Sequence, residues 1–253
     1  MAEPELQIHE TPSGVRYGLW GGEVALPAPL LIILSATIEE SLGEDYFRQC
    51  GNALARDYNF LCVSIDLPAH GPQQRADERA GLAGWRDRTD RQENFVAANN
   101  ARLRAVLDHL IGTGQVDPAR IAICGTSRGG FMALQYAASD PRVKCVAAFA
   151  PVTELAALRE FRSAANNPFV ASLALVQRAD ALVTRPVWVA IGDRDERVDT
   201  DAAIRFVRAV TKSALARGLS PQVELRVVPE PQGHTTPRGS AAAAATWIVN
   251  QFP

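Results

Sequence analysis

An apolar run, Ile121-Ala-Ile-Cys124, leads straight into Gly125-Thr-Ser127-Arg-Gly129-Gly130, and helical periodicity follows at once as far as Ala138. Joining a strand to a helix across so short a span needs a turn in which neighbouring side chains would collide. Glycines at 125 and 129 remove that collision. The turn lifts one side chain, Ser127, clear of the end of a sheet, which is the geometry of a nucleophile elbow. A chain with this feature must build a sheet in which a strand is followed directly by a crossover helix.

The rest of the sequence repeats the alternation. Short apolar runs stand at 30–34, 60–65, 121–124, 143–149, 187–191 and 223–228, with amphipathic segments at 46–56, 95–111, 130–138 and 202–216 between them. This pattern predicts a parallel sheet with crossover helices. In the second amphipathic segment Leu103, Val106, Leu107, Leu110 and Ile111 share one helical face. A last helix is expected from Thr236-Pro237, with proline at its first position, through the alanine tract 241–245 to Val249. The stretch from Val15 to Trp20 is expected to add one or two antiparallel edge strands. Gly84-Trp-Arg-Asp-Arg88 reads as a charged loop. No repeat or change of composition divides the chain, so one domain over residues 1–253 is expected, with 152–184 as a short lid-like insertion.

Composition narrows the function. Hydrophobic residues make up 47% and charged residues 21%, with a formal net charge of −2, so nothing favours nucleic acid or an anionic membrane as partner. The N-terminal residues lack the basic start and apolar run of a secretory signal, and the expected location is cytoplasmic. Of the four cysteines, Cys62, Cys124 and Cys145 lie in strand-like apolar runs, where buried reduced thiols are expected. The histidines lack metal-ligand spacing. Gly125 to Gly130 lacks the Lys-Ser/Thr that closes a phosphate-binding loop, and no cofactor is expected.

A serine hydroxyl attacks only when a base takes its proton and fixed N–H donors hold the oxyanion that forms. The chain offers both. Of its four histidines, His9 precedes the fold, His109 lies in a helix and His70 stands upstream in Asp66-Leu-Pro-Ala-His70-Gly, leaving His234 as the expected base. After the run 187–191 comes Gly192-Asp-Arg-Asp195-Glu-Arg-Val198, in which Asp193, Asp195, Glu196 and Asp199 compete as the acid. Asp195 is favoured because the loop has turned toward Ser127 by that point. The oxyanion donors are expected to be the backbone N–H of Arg128 and that of Thr37, in the Ser35-Ala-Thr37 loop; Ser35 and Thr37 equally fit the start of a helix.

The elbow, the Asp66–Gly71 loop, the Gly192–Val198 loop and Gly233-His234 occur in an order that resembles the α/β-hydrolases. The likeness is nearest to small dienelactone-hydrolase-like and prolyl-oligopeptidase-like esterases, and it extends from about residue 15 to the C-terminus. Where those enzymes usually carry His-Gly, this chain has Ser35-Ala36. The resemblance implies a mostly parallel eight-stranded sheet with helices on both faces, little or no cap, and a Ser127, Asp195, His234 triad. The expected function is cofactor-independent hydrolysis of a small-molecule carboxylic ester through an acyl-enzyme. A peptidase or thioesterase of the same fold is the alternative within the class, and a non-catalytic binding protein is the alternative outside it.

Overall fold

The computed structural model describes residues 4–252. Its strands are β1 (Gln7–Glu10), β2 (Arg16–Trp20), β3 (Ala28–Leu34), β4 (Leu61–Ser64), β5 (Val116–Thr126), β6 (Cys145–Phe149), β7 (Val187–Gly192) and β8 (Val223–Val228). They form an eight-stranded sheet in the order β1-β2-β4-β3-β5-β6-β7-β8. β1 and β2 pair antiparallel with each other, as β2 does with β4, and every pairing from β4 through β8 is parallel.

The α-helices are α1 (Ile38–Gly43), α2 (Asp45–Tyr58), α3 (Gly81–Asp90), α4 (Phe95–Gly112), α5 (Arg128–Ala137), α6 (Pro168–Ser172), α7 (Ala179–Leu182), α8 (Thr200–Ala216) and α9 (Ser240–Val249). Both faces of the sheet are covered, and the central strands are buried throughout their length, which is why they read as unbroken apolar runs. Alternate side chains serve opposite cores. Leu30, Ile32 and Leu34 pack with residues of α3, α4, α5 and α8, while Leu31 and Ile33 pack with residues of α1, α2 and α9. This is the α/β-hydrolase architecture that the sequence predicts.

Two local expectations are corrected. Gly84 to Arg88 is not a loop but part of α3; Trp85 is fully buried there, and its indole N–H donates to the Pro68 carbonyl at 2.6 Å. The last helix starts at Ser240 rather than at Pro237. Residues 152–184 form short 3-10 turns with α6 and α7. Leu155, Leu158, Phe161, Leu173 and Leu182 go into the core over the sheet. All four cysteines, including Cys50 on α2, are free and buried in the core shared by α1, α2 and α9. No helix among the described residues is long and apolar enough to cross a membrane.

Candidate active site

β5 lies between β3 and β6, and its carboxyl end delivers Ser127. Ser127 has φ 55° and ψ −117°, a conformation that L side chains rarely adopt. Its amide donates to the Phe149 carbonyl at 2.9 Å and its carbonyl accepts from Phe131 and Val152, so the neighbouring strand and the first turn of α5 hold the strained residue in place. The sterics of the two glycines are visible directly. A Cβ on Gly129 would stand 1.9 Å from the Leu34 carbonyl oxygen, and one on Gly125 would stand 2.4 Å from the Gly129 backbone.

The other two elements converge on the same edge. His234, in the loop between β8 and α9, places Nε2 2.9 Å from Ser127 Oγ and Nδ1 2.8 Å from Asp195 Oδ2. Asp195 is buried, and its second oxygen accepts the amides of Arg197 and Val198 at 3.1 and 3.2 Å. Those two bonds leave one oxygen facing the imidazole. The remaining acids of the loop have other partners or face solvent: Asp193 accepts the Glu230 amide at 2.9 Å, Asp199 caps α8, and Glu196 is exposed. His9 and His109 both lie against Tyr17, away from this edge.

A cavity of about 220 Å³ opens over the serine, lined by Ser35, Tyr46, Phe47, Thr126, Ser127, Arg128, Ala150, His234 and Thr235. None of the residues of the 152–184 insertion reaches it. The amide of Arg128 is the first of α5 and has no intrahelical acceptor. In the facing loop the Ser35 amide donates to Ser41 Oγ at 3.1 Å and the Ile38 amide to Asp66 Oδ1 at 3.0 Å. The Ala36 and Thr37 amides between them have no acceptor among the described residues. Thr37 does not line the cavity. It is the N-cap of α1, its hydroxyl accepting the Glu40 amide.

The Arg128 guanidinium turns back onto the protein. Nε donates to the Ser35 carbonyl at 3.1 Å and Nη2 lies 3.5 Å from Glu40. Burial, opposed by Glu40 and reinforced by Arg197, draws its pKa below the usual arginine range. His70 is nearby and buried. Burial, with the Arg128 charge, pulls its pKa down to about 4, and the neutral ring donates from Nδ1 to the Pro68 carbonyl at 2.8 Å.

Asp66, Ser41, Tyr46 and Arg197 have no assigned part in the sequence reading. Asp66 stands in a quoted motif, yet only the fold shows that it takes the Ile38 amide and Arg16 at once. Among the described residues no three His, Cys, Asp or Glu side chains are grouped as ligands for a metal ion.

Solved structures of known proteins share this fold. A solved cold-adapted esterase from an Arctic intertidal metagenomic library superposes with a TM-score of 0.69 at 19% identity, over 99% of this chain and 94% of its own. For TT1662 from Thermus thermophilus the values are 0.70, 18%, 99% and 98%. Acetyl xylan esterase 1 from Thermoanaerobacterium sp. gives 0.64, 17%, 100% and 89%. Identities this low speak for the fold alone. The hydrolase LUC6 of Fusarium sp is 30% identical over 137 residues, 49% of this chain but only 29% of that protein's length. The family model for the prolyl oligopeptidase family covers residues 85–247, from α3 through the elbow, Asp195 and His234 to α9, and with more than half of its length inside that model the chain belongs to this family of hydrolases.

Proposed function

We propose that the protein is a cofactor-independent serine hydrolase that cleaves carboxylic esters of small to medium size, with the whole chain acting as one catalytic domain. The observation that carries this reading is the unbroken hydrogen-bonded series from Ser127 Oγ through His234 to Asp195, opening on a cavity lined by Arg128, whose amide is unpaired. Ser127 attacks the acyl carbon as His234 Nε2 takes its proton. Asp195 holds the Nδ1–H and stabilises the imidazolium, which then protonates the leaving alcohol. Water, activated by the same histidine, releases the acid from the acyl-enzyme. The Arg128 amide supplies the first oxyanion donor, and the facing loop, where the Ala36 and Thr37 amides are both unpaired, supplies the second. A cavity of about 220 Å³ suits acyl groups of a few carbons.

Membership of the prolyl oligopeptidase family supports a second reading, amide cleavage by the same residues. Hydrolysis of short-chain p-nitrophenyl esters and of matching p-nitroanilides, by the wild type and Ser127→Ala, tests both. Ester cleavage that falls to background in Ser127→Ala is the expected result. Turnover of anilides in preference to esters would establish the peptidase reading. Undiminished activity in the variant would remove Ser127 from the mechanism.

A further inference from the structure

We propose that Tyr46 is a positioning residue for His234, a latch that holds the histidine loop against the first turn of α2. The proposal rests on the triad reading above only for its catalytic consequence.

The Tyr46 hydroxyl lies 3.0 Å from Thr235 Oγ1 and 2.8 Å from the Thr236 amide nitrogen, the two residues that follow His234. An amide N–H can only donate, so the phenol oxygen accepts from Thr236, and its own proton is left for Thr235 Oγ1. Both of its hydrogen-bonding roles are therefore directed at one loop, 189 and 190 residues away in sequence.

That loop has little else to hold it. Within residues 229–239 the bonds Gly233 to Glu230, Thr235 to Gly233 and Ser240 to Pro237 are local, and the Asp193 bond to Glu230 acts before the histidine. Apart from the Ser240 and Ala243 amides at the start of α9, which take the Pro237 and Gly239 carbonyls, the Tyr46 hydroxyl is the sole polar group from outside the loop that bonds residues 235–239 among the described residues. Gly233, with φ 75°, sits on the other side of His234, so the histidine lies between a left-handed glycine turn and the latch.

The other end of the latch is firm. Arg48, two residues along α2, bonds Asp45 at 2.7 Å and the Leu42 carbonyl, and its guanidinium lies 4.3 Å over the Trp20 ring of β2. Tyr46 itself packs edge-on to Phe47 with ring centroids 4.9 Å apart, and both rings line the cavity. Tyr46→Phe keeps this aromatic wall and removes only the hydroxyl, so it separates the latch from the wall.

A displacement of a catalytic base by about an ångström costs up to two orders of magnitude in rate. Loss of the latch slackens the loop without unseating Asp195, and Tyr46→Phe is expected to lower kcat on a p-nitrophenyl ester about tenfold with KM within about twofold. Thr235→Val, which breaks one of the two bonds, is expected to lower kcat about threefold. The second readout needs no turnover. In protein labelled with 13C-histidine, the Cε1–Hε1 signal of His234, identified by its loss in His234→Gln, is expected to shift or broaden in Tyr46→Phe while those of His9 and His109 stay fixed. An unchanged His234 signal, or a rise in KM with kcat preserved, overturns the latch. Ester cleavage that persists in Ser127→Ala overturns the nucleophile assignment instead, and the His234 signal then decides the latch by itself.

Discussion

Arg128 Nε donates to the carbonyl of Ser35 at 3.1 Å, so the residue that follows Ser127 also clamps the loop across the cavity from it. The clamp spans 93 residues of sequence and fixes the distance between the two sources of unpaired amides. Since the Arg128 backbone donor survives substitution, Arg128→Met isolates the side chain. Its kcat on neutral esters is expected to fall about tenfold with little change in KM, as measured by steady-state kinetics. A rise confined to KM for carboxylate-bearing esters would mean that the guanidinium contacts substrate rather than Ser35.

Asp195 and Asp193 are two residues apart and differ in what replacing them should do. In Asp195→Asn the amide oxygen takes the Arg197 and Val198 N–H groups and the NH2 faces His234 Nδ1. The imidazole must then carry its proton on Nε2, the wrong nitrogen for accepting from Ser127. Activity is expected to fall by roughly a thousand- to ten-thousand-fold. Asp193→Asn loses only part of its bond to the Glu230 amide and should keep activity within about threefold. Parallel kcat/KM measurements on the two variants check this.

Ser127 is held at positive φ by its surroundings, at a cost that glycine does not incur. Ser127→Gly and Ser127→Ala are both expected to be inactive. The glycine variant should be more stable than the alanine variant by about 1 kcal/mol, which urea unfolding midpoints would show. Equal midpoints would mean that the elbow stores no strain.

His70 has an ordinary pKa of 6.5 that burial lowers to about 4 in the folded protein. Between those values the unfolded chain binds a proton that the folded chain refuses, so stability falls as the pH drops from 6.5 toward 4. The full loss is on the order of 3 kcal/mol. His70→Asn retains a donor for the Pro68 carbonyl and cannot titrate, so its stability should change less between pH 7 and pH 4.5 than that of the wild type. Urea unfolding at the two pH values measures the difference.

The sequence carried most of the sheet because buried parallel strands leave unbroken apolar runs. The run 223–228 coincides with β8, and the runs at 30–34 and 187–191 fall short of β3 and β7 only at their ends. β5 is longer than its apolar part, since Val116 to Arg120 joins the strand with polar and proline residues that hydropathy does not mark. β1 escaped for a related reason: an exposed edge strand, Gln-Ile-His-Glu, has no buried face to impose a pattern. α3 was hidden by its charges, its large buried side chains being Leu82, Trp85 and Arg88, the last with its guanidinium paired to the buried Glu78. Ser127, His234 and Asp195 were legible because strand order and loop position restrict where such residues can meet. Tyr46 and Asp66 act through partners distant in sequence, and no local signal announces such a pairing.

The four cysteines share one interior face of the sheet and its covering helix; burial raises the thiols of Cys62 and Cys145 above their usual range, and a hydrogen bond with Cys50, together with burial, raises that of Cys124. The native surface among the described residues thus offers nothing to a maleimide or an iodoacetamide. Alkylation becomes a clock for global opening rather than a probe of the active site, and a single cysteine introduced on the surface would accept a fluorophore or spin label without competition from the native four.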